Sequence, residues 1–337
     1  MRLGSVITCP VEGTGLGRTG GKRNDRATFQ SIRNRPDDQR SGRPVRVGGA
    51  PLPRYLFAVD APETLHFRLT VHYDGAAFHG WQVQPDQRTV QGDLEAALTR
   101  LGNAPRSVIG SGRTDTGVHA TGQVASVEMP AKWSAPKLKK SLNAVLSDDI
   151  WIEAAVLTTA DFHPRYDAID RTYRYEVGLV PACASPFHRR WCWPLGGSGG
   201  PSVELDRALL ARACEEILGE HSFEAFAKAG QPERGTRCTV HAAAWNETEL
   251  GVRFTITADR YLHHMVRYLT GTMIDIARGR RPIEDIARLL AFPAELTTSP
   301  PAPPEGLFLH RVTYPGDDAA DTDSQPSTER TRSPLPQ

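Results

Sequence analysis

The chain has 337 residues, of which 39% are hydrophobic and 23% are charged, and its formal net charge at pH 7 is +1. This composition indicates a globular protein with one large domain or two ordinary ones. No apolar run approaches the length of a membrane span, and the first residues lack the apolar stretch of a signal peptide. The five cysteines form no C-x-x-C pair. Their odd number argues against a disulfide framework, so we expect a cytoplasmic protein with no membrane association.

Charge is distributed unevenly along the chain. Residues 1–64 carry 11 Lys and Arg against 6 Asp and Glu, whereas residues 316–337 carry 2 against 5. Both segments lack a sustained apolar period, so we expect a disordered basic extension and a disordered acidic tail. The stretch Gly15–Gly20 matches G-x-G-x-x-G. It follows no convincing strand and opens no amphipathic helix, so it does not predict a dinucleotide site.

Residues 65–170 contain the first set of predicted elements. The helix at 89–102 places Val90, Leu94 and Leu98 on one stripe and is expected to end at Gly102. In chain order the patterns predict a strand at 67–73, that helix, strands at 107–110 and 122–129, a helix at 134–146 and a strand at 149–157.

Residues 171–315 repeat a similar alternation of strands and helices. The patterns predict a strand at 171–177, a helix at 205–219, a strand at 251–257, a long helix at 260–279, a helix at 281–290 with Pro282 in its first turn, and a strand at 306–314. Two comparable halves of this kind predict an α+β fold of ferredoxin-like character, in which both halves share a mostly antiparallel central sheet. We expect the boundary between them near residue 170.

The stretch GSGRTDTGVHATGQ, residues 110–123, connects two predicted strands and places Asp115 two residues after Arg113. Functional side chains are often displayed on such loops. We expect the guanidinium of Arg113 to pair with Asp115, and an ionised acid of this kind is suited to act as a nucleophile or a base. The alternative is a carboxylate that caps its own turn.

Two rival chemistries lack the residues that they need. A glycosidase requires a second carboxylate, and no comparable motif supplies one. A metal hydrolase requires a set of ligands, and we expect the adjacent His263 and His264 to point to different sides of the helix predicted at 260–279. The sequence therefore predicts neither a metal nor another cofactor.

The loop resembles the signature of the tRNA pseudouridine synthase A family, in which R-T-D-x-G-V-H carries the catalytic aspartate. Further similar motifs follow in the family's order: YDGAAFHGWQ, TVQGDLEAAL, LNAVLSDDI, DFHPRYDA, RTYRY, HHMVR and GLFL. Together they extend over nearly all of residues 66–315. Thr116, Ser147 and Pro164 stand where the family usually has alanine, proline and alanine, and none of these differences removes a reacting group.

The resemblance implies a pseudouridine synthase fold and a set of catalytic residues. Asp115 matches the nucleophile, and Arg113 matches the arginine that pairs with it and helps to displace the target base. Tyr173 matches the tyrosine that packs on the uracil ring. Arg267 matches the basic residue that forms a salt bridge with the aspartate. From the residues alone, Tyr173 fits an ordinary strand aromatic and Arg267 a solvated helix face.

The same resemblance implies substrate contacts for Tyr173, Arg113, His119 and Leu307. Leu309 is an alternative to Leu307 as the residue that lines the pocket, and bonding within the loop is an alternative role for His119. Trp81 fits a core residue better than a stacking platform.

The resemblance implies an isomerase that converts uridines 38, 39 and 40 of the tRNA anticodon stem-loop to pseudouridine without a cofactor, as a homodimer. Two alternatives belong to other classes. One is a non-catalytic tRNA-binding or folding module, and the other is a nucleoside glycosidase.

Overall fold

The computed structural model describes residues 63–197, 202–228 and 235–317. The disorder predicted for the two termini concerns residues that lie almost entirely outside these ranges. Within them, no helix combines the length and the apolar character that crossing a membrane requires.

The first half of the described chain contains four strands and two helices. They are β1 (Thr64–Tyr73), α1 (Val90–Gly102), β2 (Val108–Gly110), β3 (His119–Pro130), α2 (Ala135–Val145) and β4 (Ile150–Thr158). The alternation that predicted β1 corresponds to burial, since Phe67, Leu69 and Val71 are fully buried and their neighbours are half-buried. All six predicted elements of this half are present.

The remaining elements of the described chain follow from residue 170 onwards. They are β5 (Asp170–Gly178), β6 (Trp193–Pro194), α3 (Arg207–Glu216), β7 (Gly219–Ser222), β8 (Arg237–Thr248), β9 (Gly251–Ala258), α4 (Met265–Ala277), α5 (Glu284–Ala291) and β10 (Leu307–Thr313). The sequence patterns did not predict β6, β7 or β8. At the centre of β8 lie three alanines at 242–244, which have low strand propensity and follow a register shift after Val240.

The helix α1 ends at Gly102, as predicted, and Asn103 caps it in the left-handed conformation with φ 55°. The starts of two other helices differ from the prediction. Pro282 precedes α5 rather than occupying its first turn. The helix predicted from residue 260 begins at Met265, because His264 has φ 66° and cannot continue a right-handed helix.

One sheet unites the two halves. Its strand order is β4-β1-β3-β10-β5-β9-β8-β7, with β2 paired to β3 and β6 paired to β5. The pairs are antiparallel except β3 with β10 and β5 with β6. When the short strands β6 and β7 are left out of the count, each half has the order fourth, first, third, second strand: β4-β1-β3-β2 in the first and β10-β5-β9-β8 in the second. This repetition confirms the prediction of two ferredoxin-like halves that share a mostly antiparallel sheet.

The halves join where β3 runs parallel to β10. The register pairs Phe308 with His119 and Leu309 with Ala120. Next to this contact, a Cβ atom on Gly122 would lie 2.0 Å from the carbonyl oxygen of His310. The absence of a side chain at Gly122 therefore permits the close approach of the two strands.

Candidate active site

The loop that carries Asp115 lies between β2 and β3 and is held by hydrogen bonds to its neighbours. Trp81 donates its backbone N–H to the carbonyl of Thr114 over 3.1 Å, and the hydroxyls of Tyr73 and Thr114 are 2.7 Å apart. The backbone of Val118 donates to the carbonyl of Asp115 over 3.1 Å. These bonds fix the backbone on both sides of the carboxylate, which is the support that a catalytic group requires.

Two further side chains fasten the start of the loop. Gln123 accepts from the hydroxyl of Ser111 over 2.7 Å and donates to the carbonyl of Gly112 over 2.8 Å. Arg171 donates to the carbonyls of Ser111 at 3.1 Å, Arg165 at 2.7 Å and Asp259 at 3.0 Å. Arg171 thus connects the loop to residues 165 and 259, which are distant from it in the sequence. The sequence patterns predict no function for Gln123 or Arg171, although both lie within the motifs that carry the family resemblance.

Three side chains of the second half surround the carboxylate of Asp115. His263 Nε2 lies 3.1 Å from Oδ1, and His264 Nε2 lies 3.2 Å from Oδ2. Arg267 Nη1 lies 3.6 Å from Oδ2. The side chain of Asp115 is 20% exposed, so it remains accessible from solvent. The site is therefore assembled from a loop of the first half and from the start of α4.

The expectation that His263 and His264 point to different sides of a helix was wrong. Both residues precede α4, and the left-handed conformation of His264 directs both rings to Asp115. Burial lowers the pKa of His264, and the nearby charges of Arg267 and Lys228 act in the same direction. Asp115 opposes this effect without cancelling it.

Arg267 is anchored as well as paired. Its Nε donates to the carbonyl of Ala302 over 2.7 Å, and the backbone N–H of Ala302 donates to the carbonyl of Arg267 over 2.9 Å. Its side chain is only 13% exposed. A solvated polar helix face does not describe this environment, since the guanidinium is fixed between Ala302 and Asp115.

Arg113 does not make the contact with Asp115 that we expected. It is exposed, and among the described residues the ion pairs of Asp115 come from His263, His264 and Arg267. The reason lies in Thr114, whose buried side chain bonds to Tyr73 and turns the adjacent Arg113 towards solvent.

Tyr173 lies beside this cluster on β5 and is 9% exposed. Its ring meets the ring of Tyr261 edge-on, with centroids 4.8 Å apart. Burial raises the pKa of Tyr173 to about 12, and the charge of Asp115 contributes in the same direction. Leu309 lies opposite Tyr173 in the register of β10 with β5, whereas Leu307 lies opposite Tyr175. Leu309 is fully buried and Leu307 is 5% exposed, so Leu307 retains some surface for a ligand.

The side chain of His119 is 1% exposed and bonds within the protein. Its Nδ1 accepts the backbone N–H of Gly75 over 3.0 Å, and its ring stacks on Phe308 with centroids 4.8 Å apart. Both partners lie outside the loop at residues 110–118, so these contacts are not bonds within that loop. Trp81 is 2% exposed, as expected of a core residue.

Comparisons with known proteins agree with this architecture. The model of the tRNA pseudouridine synthase family matches residues 69–167 and 213–315. Three similar relatives are each named tRNA pseudouridine synthase A. The one from Moorella thermoacetica is 39% identical over 251 residues, which are 73% of this chain and 98% of the relative. The one from Latilactobacillus sakei is 37% identical over 254 residues (74% and 99%), and the one from Chlamydia trachomatis is 37% identical over 250 residues (73% and 91%).

The fold and these matches define the class of protein as an RNA-modifying isomerase. The chain belongs to the tRNA pseudouridine synthase family.

Proposed function

We propose that the chain converts uridine to pseudouridine at positions 38, 39 and 40 of the tRNA anticodon stem-loop, with Asp115 as the nucleophile. The observation that carries this proposal is the environment of Asp115. Its carboxylate is partly exposed, fixed by a bonded loop, and held among two imidazoles and a guanidinium beside a buried tyrosine. A nucleophilic carboxylate requires such orientation and access.

The reaction needs no redox agent and no transferred group. The bond between uracil N1 and ribose C1′ breaks, the uracil turns, and a new bond forms between C5 and C1′. The proton on C5 is lost and N1 gains one, so the atoms balance within one nucleotide and solvent. An ionised Asp115 can attack uracil C6 or act at the ribose, and both routes place negative charge beside Arg267 when the carboxylate is released.

The target base must leave its stack to reach Asp115, at a cost of a few kcal/mol. Stacking on the ring of Tyr173 returns about 1–3 kcal/mol, and Leu307 supplies an apolar contact beside it. The exposed guanidinium of Arg113 is free to contact the displaced nucleotide or its phosphates.

Removal of the C5 proton requires a base, for which Tyr173 and Asp115 are the candidates. With a pKa of about 12, the phenol of Tyr173 is protonated at neutral pH. Tyr173 therefore enters the reaction as a neutral hydroxyl, and it can accept the C5 proton only as it gives up its own.

We further propose that the protein acts in the cytoplasm as a homodimer, whose two copies together provide enough basic surface for a stem-loop. Phosphate contacts dominate the affinity of such complexes. Analytical ultracentrifugation at working concentration measures the oligomeric state of the protein. A monomer would contradict the proposed homodimer.

The decisive experiment compares the wild-type chain with Asp115→Asn on tRNA that carries 5-³H-uridine. We expect the wild type to release tritium and form pseudouridine, and Asp115→Asn to do neither while it still binds tRNA. Asp86→Asn is the matched control, because it removes a carboxylate at a position with φ 57°, a conformation that asparagine accepts readily. Turnover by Asp115→Asn would refute the nucleophile, and tRNA binding without turnover by the wild type would favour the non-catalytic module.

A further inference from the structure

The carboxylate of Asp115 and two imidazoles converge on a common point. One ligand atom from each of Asp115, His263 and His264 lies within 4.8 Å of the other two. Each histidine Nε2 is 3.1–3.2 Å from its nearer carboxylate oxygen. Two ligand atoms at about 2.1 Å from a tetrahedral zinc ion lie about 3.4 Å apart. The Asp115–His263–His264 cluster therefore needs only small side-chain shifts to enclose one ion.

The donors of this cluster favour particular ions. Two imidazoles and one carboxylate are typical of sites for borderline transition metals, in which three protein ligands leave one position open to water. Mg²⁺, which tRNA solutions contain in quantity, prefers an octahedral set of oxygen ligands and keeps its own water. The chemistry of the cluster thus selects Zn²⁺ and similar ions over Mg²⁺.

The site is accessible from solvent. The side chain of His263 is 56% exposed, which gives an ion a path to the cluster. Arg267 Nη1, at 3.6 Å from Oδ2, opposes a cation and lowers the affinity. The backbone on both sides of Asp115 is fixed by hydrogen bonds, and His264 has φ 66° in the turn before α4.

We propose that Asp115, His263 and His264 bind one Zn²⁺ ion, and that this ion inhibits the protein by occupying the carboxylate that attacks uridine. The binding site rests on geometry alone, whereas the inhibition also rests on the proposed function. An ion on Asp115 withdraws its electron pair and blocks the approach of a base, so metal binding and catalysis exclude each other.

The binding is tested by isothermal titration calorimetry of the full chain without RNA. We expect the wild type to bind one Zn²⁺ per chain. In His263→Asn and in His264→Asn the affinity for Zn²⁺ should be lost or fall at least roughly 10-fold, since even outer partners of a metal ligand contribute 10–100-fold to metal affinity. Asparagine suits position 264 because it tolerates positive φ. His241→Gln, which removes an exposed imidazole from β8, is the control and should bind as the wild type does. The wild type with Co²⁺ in place of Zn²⁺ should show the visible absorption of low-coordinate cobalt. His263→Asn and His264→Asn should not show this absorption.

The inhibition is tested by tritium release at fixed Mg²⁺ with increasing Zn²⁺. We expect Zn²⁺ to stop wild-type turnover and EDTA to restore it, and whatever activity His263→Asn retains should be at least roughly 10-fold less sensitive. Equal Zn²⁺ affinity in all four proteins, or no binding to the wild type, would overturn the site. If the wild type turns over and binds Zn²⁺ at this site without being inhibited, the inhibitory role is overturned. If the wild type binds Zn²⁺ but has no turnover, the metal site stands and the proposed function is refuted.

Discussion

Asp115 obtains its chemical surroundings from the second half of the chain, although its loop belongs to the first. Among the described residues, its three side-chain ion-pair partners lie at positions 263, 264 and 267, at the start of α4. Arg267 supplies a positive charge, and the imidazole of His264 lies 3.2 Å from the carboxylate. A carboxylate held in this way keeps its orientation and stays partly exposed, as the proposed attack requires.

At the residue scale, Tyr173→Phe separates stacking from hydroxyl chemistry. In the part of the chain that the structure describes, the Tyr173 hydroxyl has no hydrogen-bond partner, so its removal should leave stability unchanged. We expect turnover to fall roughly 10²-fold or more, as on loss of a proton-transfer group, with tRNA affinity retained. Single-turnover rates and tRNA binding curves measure the two effects. Unchanged turnover would exclude the hydroxyl from the reaction.

Tyr261→Phe is the matched control for that substitution. The Tyr261 hydroxyl donates towards the carbonyls of Arg171 at 3.0 Å and Ile256 at 2.9 Å. Its loss should therefore cost about 1 kcal/mol of stability, in contrast to Tyr173→Phe.

At the element scale, the contact between β3 and β10 depends on Gly122. An alanine Cβ there would meet the backbone of β10 at His310, and backbone cannot move aside as a flexible side chain can. We expect Gly122→Ala to lower the free energy of unfolding by about 1–3 kcal/mol, the usual cost of overpacking. Gly112→Ala is the control, because a Cβ there meets nothing within 4 Å. Urea unfolding followed by tryptophan fluorescence measures both, and equal midpoints would contradict the argument.

The elements also show what the sequence can and cannot predict. The sequence patterns correctly predicted the strands β1, β5 and β9 and the helix α1. Burial alternates along these strands and follows one stripe of the helix, so the pattern of apolar residues reveals them. The start of α4 was predicted five residues too early, because the periodic pattern does not reveal that His264 has φ 66°. That one angle determines whether two imidazoles reach Asp115. Local pattern therefore located the loop of Asp115 but not the two imidazoles beside it, whereas the family resemblance predicted the contact of Arg267.

At the scale of the whole molecule, one buried and two partly exposed histidines contribute to the behaviour in acid. Burial lowers the pKa of His119, His264 and His310, in the last case to about 4 with the help of Arg174 and neighbouring arginines. Below pH about 6.5 the unfolded chain binds protons that the folded chain does not. The contribution of these histidines to the free energy of unfolding is therefore complete above that pH and decreases as the pH falls towards 4.

Thermal unfolding between pH 8 and 4 checks this expectation. His310→Gln should flatten the acid side of the curve, because the glutamine has no proton to take up. His241→Gln controls for the number of histidines. A wild-type melting temperature that stays constant down to pH 4 would contradict the assignment.

The position of β10 has a consequence for biosynthesis. The last strand that the structure describes lies in the middle of the sheet, between β3 and β5. A ribosome that has released only the preceding elements holds a nascent chain with two unpaired inner edges, each a template for wrong partners. The sheet closes only when residues 307–313 emerge, so premature termination upstream of them should yield aggregates rather than a smaller working enzyme.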